Sequence, residues 1–387
     1  MTYKVISLFS GTGGSSLGYK LAGLKVLLSN EFVEAAWKCY EANFPGTVCL
    51  HDDIRKLTGD IILSKVGLKK GELDVLDGSP PCASFSTAGK REKKWGVVTK
   101  YSDVEQRVDD LLFEYARILG QIQPKVFLVE NVRGLAMGEA KKVFDEAQKE
   151  FEKQGYIVSS RLLNAKYFRV PQNRPRIIFI GVRKDLGVHP SHPDPQYAPI
   201  PIKEVLKDIV NTPQDIEDSK YPEHYSVMKY LKQMKPGESG SDYNEKGSYF
   251  GLIRLDWDKP ANTILQSDAK HISCSAIHPE EHRKLTIPEL KRVSSFPDDF
   301  KLLGDYKQNW ERIGRAVPPN MMKAIAEHIR YRILDKINNI SNDYKPPYYD
   351  IEANKGDTRQ QSFGFEGEGV KGGFKEYKVQ RKSWNDK

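Results

Sequence analysis

Short, mainly apolar runs alternate with helical patterns through the first half of this sequence, and this alternation constrains the fold more than any other feature. Between the runs, apolar residues recur every three or four positions, as they do through 111–119 and 143–151. Such alternation indicates a doubly wound, mostly parallel α/β sheet, whose ligands bind at the carboxyl ends of the strands. The predicted strands are the runs 5–9, 26–28, 73–76, 126–129 and 177–180.

The composition and the hydrophobic pattern of the sequence change after about residue 183. Prolines become frequent and clean strand–helix alternation stops, which predicts a second, smaller and irregular domain. Helical patterning returns at 287–293 and 320–334. The last segment, 341–387, is rich in glycine, lysine and tyrosine and has little periodicity, so we expect it to be flexible or to form an appended surface element.

The net charge and the cysteine content indicate which partner and which cellular compartment to expect. A net charge of +8 suits a polyanionic partner. The four cysteines, Cys39, Cys49, Cys82 and Cys274, form no CxxC pair, and His51 follows Cys49 too closely for a usual zinc set. We therefore expect no disulfide framework, no metal and a reducing compartment. The sequence has no apolar run of the roughly 18 residues that a membrane span needs, and no secretory signal is evident.

A glycine-rich loop follows the first predicted strand. The glycines of FSGTGG (9–14) allow a ligand to approach the backbone, and the next helix presents free N–H groups. Glu31 lies 20 residues beyond Gly11, where an acidic group commonly holds the ribose hydroxyls of an adenosine-containing cofactor. The full GxGxxG pattern would need glycine at Ser16. The loop therefore fits a methyltransferase, a nicotinamide-dependent dehydrogenase or a tight turn without a ligand.

A cysteine follows the predicted strand 73–76, on a turn stiffened by two prolines. Structural cysteines normally lie within apolar runs, whereas Cys82 has Ser79, Ala83 and Ser84 around it. The position predicts an accessible thiol at the ligand-binding edge of the sheet. A lone loop cysteine is more often inert than catalytic, so this interpretation depends on what the neighbouring strands carry.

Charged residues stand at the ends of two further predicted strands. Glu130 follows four apolar residues and would be partly desolvated there, which suits a proton donor. Arg174 and Arg176 precede the strand 177–180, where a guanidinium group can bind a carbonyl oxygen or stabilise negative charge. A thiol, a carboxyl group and an arginine beside an adenosine pocket suit attack on an electron-poor ring.

Read in order, these motifs resemble those of the cytosine-C5 DNA methyltransferase family of the restriction–modification type. The resemblance extends from about residue 6 to residue 329, and its specificity comes from the order and spacing of the PPC, ENV and QxRxR motifs. The matching segments are FSGTGG (9–14), SNE (29–31), DDI (52–54), GSPPCASFS (78–86), ENVRGL (130–135), QNRPR (172–176), RKLTIPELKRVSSFPDDF (283–300) and GRAVPPNM (314–321).

The resemblance implies a role for each residue of the catalytic set. Cys82 is expected to attack cytosine carbon 6, after which carbon 5 accepts the methyl group of S-adenosylmethionine. Glu130 is expected to hold and protonate ring N3, Arg176 to bind O2, and Arg174 to brace the site. The target cytosine is expected to leave the duplex stack, because its reacting carbons are otherwise out of reach.

The resemblance also implies a pocket for S-adenosylmethionine. Glu31 is expected to bind the ribose hydroxyls, and Asp53 and Ile54 the adenine. Arg315 stands where relatives often carry asparagine near the cofactor carboxylate, which leaves the role of this position open. The expected cofactor-binding residues are Phe9, Gly11, Thr12, Gly13, Gly14, Glu31, Asp53, Ile54, Pro81, Leu111 and Ala316.

In this family the C-terminal motif folds back onto the N-terminal domain. The resemblance therefore implies a catalytic and cofactor-binding domain at 1–183, completed by about 310–340, and a target-recognition domain at 184–309 that includes the RKLT…FPDDF motif. It further implies double-stranded DNA as partner and a monomeric, cytoplasmic enzyme of bacterial or phage origin.

The segment from Cys82 to about Arg107 is a candidate for a loop that closes on DNA. Its basic side chains would then meet phosphates, although a solvated charged loop is the alternative. These basic side chains are Lys90, Arg91, Lys93, Lys94 and Lys100, and Trp95 lies among them.

Three other functions are alternatives to DNA methylation. A tRNA-modifying branch of the family typically carries a Cys-Phe-Thr signature, whereas Cys274 is followed by Ser275 and Ala276. A non-catalytic DNA-binding relative would be expected to lose Cys82 or Glu130, and both are present. A dehydrogenase shares the glycine loop but has no use for the PPC, ENV and QxRxR set.

Overall fold

A computed structural model describes residues 2–81, 99–101, 104–106, 110–138, 140–244, 249 and 251–354 of the chain. The strands of these segments form one large sheet and a separate two-stranded hairpin. They are β1 (Lys4–Leu8), β2 (Lys25–Asn30), β3 (Val48–Leu50), β4 (Val75–Gly78), β5 (Thr99–Tyr101), β6 (Val104–Gln106), β7 (Val126–Val132), β8 (Tyr156–Asn164) and β9 (Pro175–Arg183).

The large sheet has seven strands in the order β3-β2-β1-β4-β7-β9-β8. The pairs β1–β2, β2–β3, β1–β4 and β4–β7 are parallel, whereas β9 runs antiparallel to both β7 and β8. The chain thus winds outward from β1 in both directions, which is the doubly wound topology. The sequence prediction of a mostly parallel α/β sheet is confirmed.

Helices cover both faces of this sheet, because the sheet strands are apolar on both sides. On one face, α4 (Leu111–Ile122) and α5 (Ala140–Lys153) bury apolar residues at helical spacing against the strands. On the other face, α1 (Gly14–Leu21) packs against α11 (Pro319–His328). The remaining helices are α2 (Glu34–Asn43), α3 (Gly59–Ser64), α6 (Lys203–Leu206), α7 (Pro213–Ser219), α8 (Met228–Leu231), α9 (Ile287–Val293), α10 (Tyr306–Arg315) and α12 (Asp335–Ile337).

The edge strand β8 has no counterpart among the predicted strands. Its central residues Ser159, Ser160 and Arg161 are polar and only half-buried, so the strand lacks the apolar run that marks the others. It lies at the edge of the sheet, where one side of its backbone has no partner strand. Its sequence therefore does not predict a buried strand.

Residues 202–313 contain most of a second hydrophobic core, built from short helices and irregular segments. Buried charged side chains hold these segments together by bonding to backbone carbonyl groups. The Arg254 guanidinium donates to the carbonyl oxygens of Leu231, His278 and Pro279 at 2.6 to 3.1 Å. This part of the chain is irregular, as its proline-rich sequence predicts.

The C-terminal helices return to the core of the large sheet. Gly18 in α1 allows this contact, because a Cβ atom there would lie 2.5 Å from Met322 Cβ. Beyond α12, the chain continues over the surface: Tyr349 N donates to Pro195 O at 2.8 Å, and its ring stacks on Tyr167. The segment through residue 354 therefore lies against the large core.

Among the described helices, none combines the length and the apolar character that crossing a membrane requires.

Candidate active site

Three parallel strands end at one edge of the sheet, and each leads into a predicted motif. The glycine loop follows β1, the segment Ser79–Pro81 follows β4, and Glu130 lies near the end of β7. Because neighbouring parallel strands share their carboxyl edge, the three motifs lie side by side. The topology therefore brings together the glycine loop, the base of the cysteine loop and the predicted acid.

The glycine loop has backbone conformations that suit glycine. Gly11 and Gly13 have φ values of +56° and +100°. A Cβ atom on Gly14 would lie 2.2 Å from the carbonyl oxygen of Val317, so the loop packs directly against the chain that returns from α10. At Gly11, in contrast, an added Cβ would meet nothing within 4 Å. The loop is tightly packed on its inner side and open at Gly11.

Glu31 ties the end of β2 to the glycine loop. Its carboxylate accepts hydrogen bonds from Gly11 N and Val33 N, both at 2.8 Å. Burial raises the pKa of Glu31, while these two backbone donors and the nearby Arg312 and Arg315 lower it. Each carboxylate oxygen has more than one acceptor direction, so Glu31 can still accept from ligand hydroxyl groups.

Asp53 and Ile54 lie beyond β3, beside the same edge. Asn30 holds this segment by donating to Leu50 O at 3.1 Å and to Asp52 O at 2.9 Å. Ile54 is buried, whereas the Asp53 carboxylate pairs with Arg55 at 3.1 Å. Asp53 therefore lies at the same edge of the sheet as the glycine loop, and its carboxylate is paired with Arg55.

The other predicted pocket residues take different positions. Leu111 is the first residue of α4 and is buried in the core beneath the sheet edge. Pro81 is the last described residue before the cysteine loop. Ala316 follows α10, and its carbonyl oxygen accepts from Arg174 Nη2 at 3.0 Å.

The predicted nucleophile Cys82 lies outside the described residues, which include the chain leading to it as far as Pro81. Asn131 Nδ2 donates to Pro80 O at 3.4 Å, which ties the loop to β7. Tyr115 Oη donates to Leu76 O at 2.8 Å, and its ring lies where a Cβ atom on Gly78 would be. The segment that follows β4 is therefore held at Pro80 by Asn131, the residue next to Glu130.

Glu130 and Arg176 form a buried ion pair. Arg176 Nε lies 2.8 Å from Glu130 Oε1, and both side chains are about nine-tenths buried. Arg176 Nη1 also donates to Pro175 O at 2.8 Å. Burial lowers the pKa of the Arg176 guanidinium, and the Glu130 carboxylate opposes that shift. The pair places a carboxylate and a planar donor side by side at the sheet edge.

Arg174 makes different contacts from Arg176, although only one residue separates them. Its guanidinium donates to Ile264 O at 3.1 Å, Gly314 O at 2.9 Å and Ala316 O at 3.0 Å. These carbonyl groups belong to the irregular region and to the end of α10, so one side chain connects both to β9. This geometry makes Arg174 a brace between three segments.

Sequence reasoning gave no role to Asp77, a buried acid in β4. Ser7 Oγ donates to its Oδ2 at 2.7 Å, and Tyr19 Oη donates to its Oδ1 at 3.3 Å. Burial raises the pKa of Asp77 to about 7; the hydrogen bonds from Ser7 and Tyr19 lower it, and Glu130 raises it. The available signal was an aspartate inside an apolar strand.

Most of the predicted DNA-binding loop lies outside the described residues, including Lys90, Arg91, Lys93, Lys94 and Trp95. Within it, β5 and β6 pair as an antiparallel hairpin. At the far side of the site, Arg315 donates to the Gln266 side chain and lies 3.5 Å from Glu311.

Across the described residues, one group of side chains has the donor atoms of a metal site. The ligand atoms of Glu41, Cys49 and His51 lie within 4.8 Å of one another. His51 already bonds to Glu41 at 2.9 Å and stacks on Trp37 at 4.0 Å. The expectation that the chain holds no metal stays a prediction.

Comparisons with known proteins agree with these motifs. Residues 3–331 match the family C-5 cytosine-specific DNA methylase. The Type II methyltransferase M.PspPI of Psychrobacter sp. (strain TA137) is 33% identical over 346 residues, which cover 85% of this chain and 79% of that protein. The Type II methyltransferase M1.HphI of Haemophilus parahaemolyticus is 35% identical over 341 residues, which cover 85% and 87%.

A solved structure has the same fold. It is described as a candidate DNA modification methyltransferase encoded within an Escherichia coli prophage, and it matches with a TM-score of 0.67 and 22% identity. The match covers 86% of this chain and 100% of that one. The family match includes the glycine loop and the PPC, ENV and QxRxR motifs. The chain is therefore not a nicotinamide-dependent dehydrogenase. The chain belongs to the C-5 cytosine-specific DNA methylase family and is a DNA cytosine-5 methyltransferase.

Proposed function

We propose that this enzyme transfers a methyl group from S-adenosylmethionine to carbon 5 of a flipped-out cytosine in a specific duplex DNA sequence, through a covalent bond to Cys82. The buried pair of Glu130 and Arg176 carries the proposal. Its two side chains lie 2.8 Å apart, next to the strand that leads to Cys82. A carboxyl group and a guanidinium group at this spacing match N3 and the exocyclic O2, which lie side by side on one edge of cytosine.

The glycine loop and Glu31 fit S-adenosylmethionine. The Thr12 hydroxyl is buried and has no hydrogen-bond partner within the described chain, and the space beside Gly11 is open. Both features suit a ligand that lies across the loop, with its ribose hydroxyls donating to Glu31. Phe9, Gly13 and Gly14 shape the loop, while Asp53, Ile54, Pro81, Leu111 and Ala316 complete the proposed pocket. When bound, the cofactor supplies an electrophilic methyl group.

Cys82 supplies the nucleophile. Its thiolate forms a bond to carbon 6 of the cytosine, and the displaced electron pair makes carbon 5 nucleophilic. After carbon 5 has gained the methyl group, a base removes its proton. The electron pair of that bond then expels the thiolate and restores the ring. The prolines at 80 and 81 limit the freedom of the loop that carries the thiol.

Glu130 and Arg176 stabilise the ring during the attack. Negative charge from the thiolate would otherwise accumulate at N3 and O2. Glu130 holds a proton at N3, and the Arg176 guanidinium donates to O2. Arg174 acts indirectly, because its hydrogen bonds to Ile264, Gly314 and Ala316 hold β9 in place.

We further propose that different parts of the chain perform catalysis and DNA recognition. Residues 1–183 and about 310–340 form the catalytic unit, and residues 184–309 select the DNA sequence. Base flipping is required because carbons 5 and 6 lie inside the duplex stack. The net charge of +8 favours binding to the phosphate backbone. The names of the relatives support an enzyme of a restriction–modification system. We further propose that it acts as a monomer in the cytoplasm.

The proposal is tested by replacing the nucleophile. The Cys82→Ser variant should lose methyl transfer to duplex DNA while its dissociation constant for S-adenosylmethionine stays within about twofold of the wild type, because a hydroxyl is a far weaker nucleophile than a thiolate. Cys49→Ser is the matched control, since it makes the same change at a partly buried cysteine outside the catalytic set. Normal turnover by Cys82→Ser would overturn covalent catalysis by Cys82.

A further inference from the structure

Asp77 is a buried carboxyl group that the mechanism above does not use. It lies in β4, with 1% of its surface exposed. Its two oxygens accept hydrogen bonds from Ser7 in β1 and Tyr19 in α1. In the portion of the chain that the structure covers, Asp77 makes no ion pair. Ionising a buried carboxyl group that only hydroxyl donors stabilise costs free energy.

Asp77 and Glu130 face the same side of the sheet. Asp77 pairs in register with Leu128 on the neighbouring strand β7, and Glu130 lies two residues beyond Leu128 on the same face. Val75 and Leu128 belong to the core between the sheet and α1, which identifies that face. In a parallel pair with strands about 4.8 Å apart and a rise of about 3.3 Å per residue, such diagonal neighbours lie about 8 Å apart. The two carboxyl groups therefore interact through protein interior.

The titratable groups around Asp77 come from helices α1 and α4 and from strands β7 and β9. Helix α1 contributes Tyr19, together with the hydroxyl of Ser15. Strand β7 contributes Glu130, beyond which lies Arg176 of β9. Helix α4 contributes Tyr115 from the opposite face of the sheet. Strand β1 contributes only the neutral hydroxyl of Ser7. Glu130 is the acidic member of this set.

We propose that Asp77 is a positioning residue for the proton of Glu130: its negative charge favours the neutral form of Glu130, which must carry a proton to N3 of cytosine. The inference rests on the proposed function, since it gives Asp77 a role only if Glu130 protonates the ring. Arg176 favours the charged form of Glu130, because it lies 2.8 Å away. Asp77 opposes that effect from the other side.

Burial raises the pKa of Asp77, and the hydrogen bonds from the Ser7 and Tyr19 hydroxyls partly offset that effect. The two hydroxyls donate to the carboxylate and so stabilise its charged form against the cost of burial. Because the pKa of Asp77 is raised to about 7, the group changes charge near neutral pH. Its influence on Glu130 should therefore appear as the pH rises through about 7. Two unit charges at this separation and an intermediate dielectric constant correspond to an effect of about tenfold or more on turnover.

The test compares single-turnover methyl transfer by the wild type and the Asp77→Asn variant, at saturating S-adenosylmethionine and duplex DNA. Asparagine keeps the shape and one acceptor oxygen but removes the charge. At about pH 6 the two proteins should be equally fast, because wild-type Asp77 is then mainly neutral. At about pH 8.5 the variant should be slower by about tenfold. Equal rates at both pH values, or an equal deficit at both, would overturn the inference.

A second variant keeps the carboxylate. Ser7→Ala removes one donor, so Asp77 should ionise at higher pH. Its deficit should be largest near pH 7 and should shrink as the pH rises to about 9, unlike that of Asp77→Asn. A deficit that does not change with pH would indicate a purely structural role and would contradict the inference. Asp74→Asn is the matched control, because Asp74 precedes the same strand and pairs with Lys125 away from the site; its pH profile should match the wild type.

A double-mutant cycle separates this inference from the function on which it rests. In a Glu130→Gln background, adding Asp77→Asn should change the rate less than about twofold, because the group through which Asp77 acts is gone. Losses that multiply would overturn the inference alone. Normal turnover by Glu130→Gln itself would overturn the proposed role of Glu130 and the inference together.

Discussion

Arg176 Nε lies 2.8 Å from Glu130 Oε1 because the two residues are diagonal neighbours on antiparallel strands. Arg176 pairs in register with Val132, and Glu130 lies two residues before Val132 on the same face of the sheet. The motifs ENV and QxRxR, 40 residues apart in sequence, thus meet through a single strand pairing. The antiparallel direction of β9 is what brings the arginine to the acid.

The first prediction concerns Glu130. Glu130→Gln should lower the rate of methyl transfer at least about a hundredfold, which is the usual scale of lost general acid catalysis. Binding of S-adenosylmethionine, measured by calorimetry, should change little, because Glu130 contacts Arg176 rather than the glycine loop. Unchanged turnover would remove Glu130 from the mechanism.

The second prediction separates the two arginines. Arg174→Lys should lower the free energy of unfolding by about 2–4 kcal/mol, because lysine cannot reach three carbonyl groups at once and leaves buried acceptors unsatisfied. Arg176→Lys should instead slow single-turnover methyl transfer more than it affects stability. Urea unfolding and rate measurements on both variants test this. Equal effects of the two changes on both quantities would contradict the separate roles.

The third prediction concerns the cofactor. Glu31→Gln should weaken binding of S-adenosylmethionine by about tenfold to a hundredfold, since a charge-assisted hydrogen bond is worth about 1.5–3 kcal/mol. The loss should appear in the dissociation constant, with little change in the rate at saturating cofactor. Glu34→Gln, on the exposed start of α2, is the matched control. A Glu31→Gln variant with wild-type affinity would show that the ribose hydroxyls bind elsewhere.

The fourth prediction concerns stability and pH. Burial raises the pKa of Asp77 from 3.8 to about 7. The folded protein therefore holds this proton more tightly than the unfolded chain, so stability from this group is complete below about pH 4 and declines as the pH rises to about 7. Asp77→Asn, which is neutral throughout, should match the wild type near pH 4 and exceed its free energy of unfolding by up to about 4 kcal/mol at pH 8.

Urea unfolding of both proteins at the two pH values measures this difference, and Asp74→Asn again serves as the control. A variant that is less stable than the wild type at pH 8 would show that the ionised Asp77 stabilises the fold. The fourth prediction also implies a trade-off, because the negative charge on Asp77 that lowers the free energy of unfolding is the charge that we expect turnover to require.

Much of the fold was predictable from local patterns. Strands β1, β2, β4, β7 and β9 carry apolar runs, and the amphipathic pattern at 111–119 became α4. The sequence did not predict β8 or the antiparallel direction of β9. The middle of β8 is polar, so it lacks the apolar run that indicates a buried strand. The direction of β9 depends on the connection that leads into it, which no local sequence pattern indicates.

The candidate site was predictable where motifs mark it and unpredictable where contacts are distant. The ENV and QxRxR motifs pointed to Glu130 and Arg176, and the family resemblance, not a local pattern, assigned different roles to Arg176 and Arg174. The contacts that set Arg174 apart are made to Ile264, Gly314 and Ala316, which are 90 or more residues away. Asp77 was overlooked for the same reason, because its partners Ser7 and Tyr19 become neighbours only when the sheet has formed.

The most direct test of the central claim is to incubate the purified protein with methyl-labelled S-adenosylmethionine and mixed-sequence duplex DNA, and then to sequence the DNA after bisulfite conversion. We predict label in the DNA and cytosines protected from conversion in one repeated sequence context. Label on tRNA without protected cytosines in DNA would contradict the assignment and favour the RNA-modifying branch. Label on neither nucleic acid would contradict methyl transfer and favour a binding protein that keeps the catalytic residues without using them.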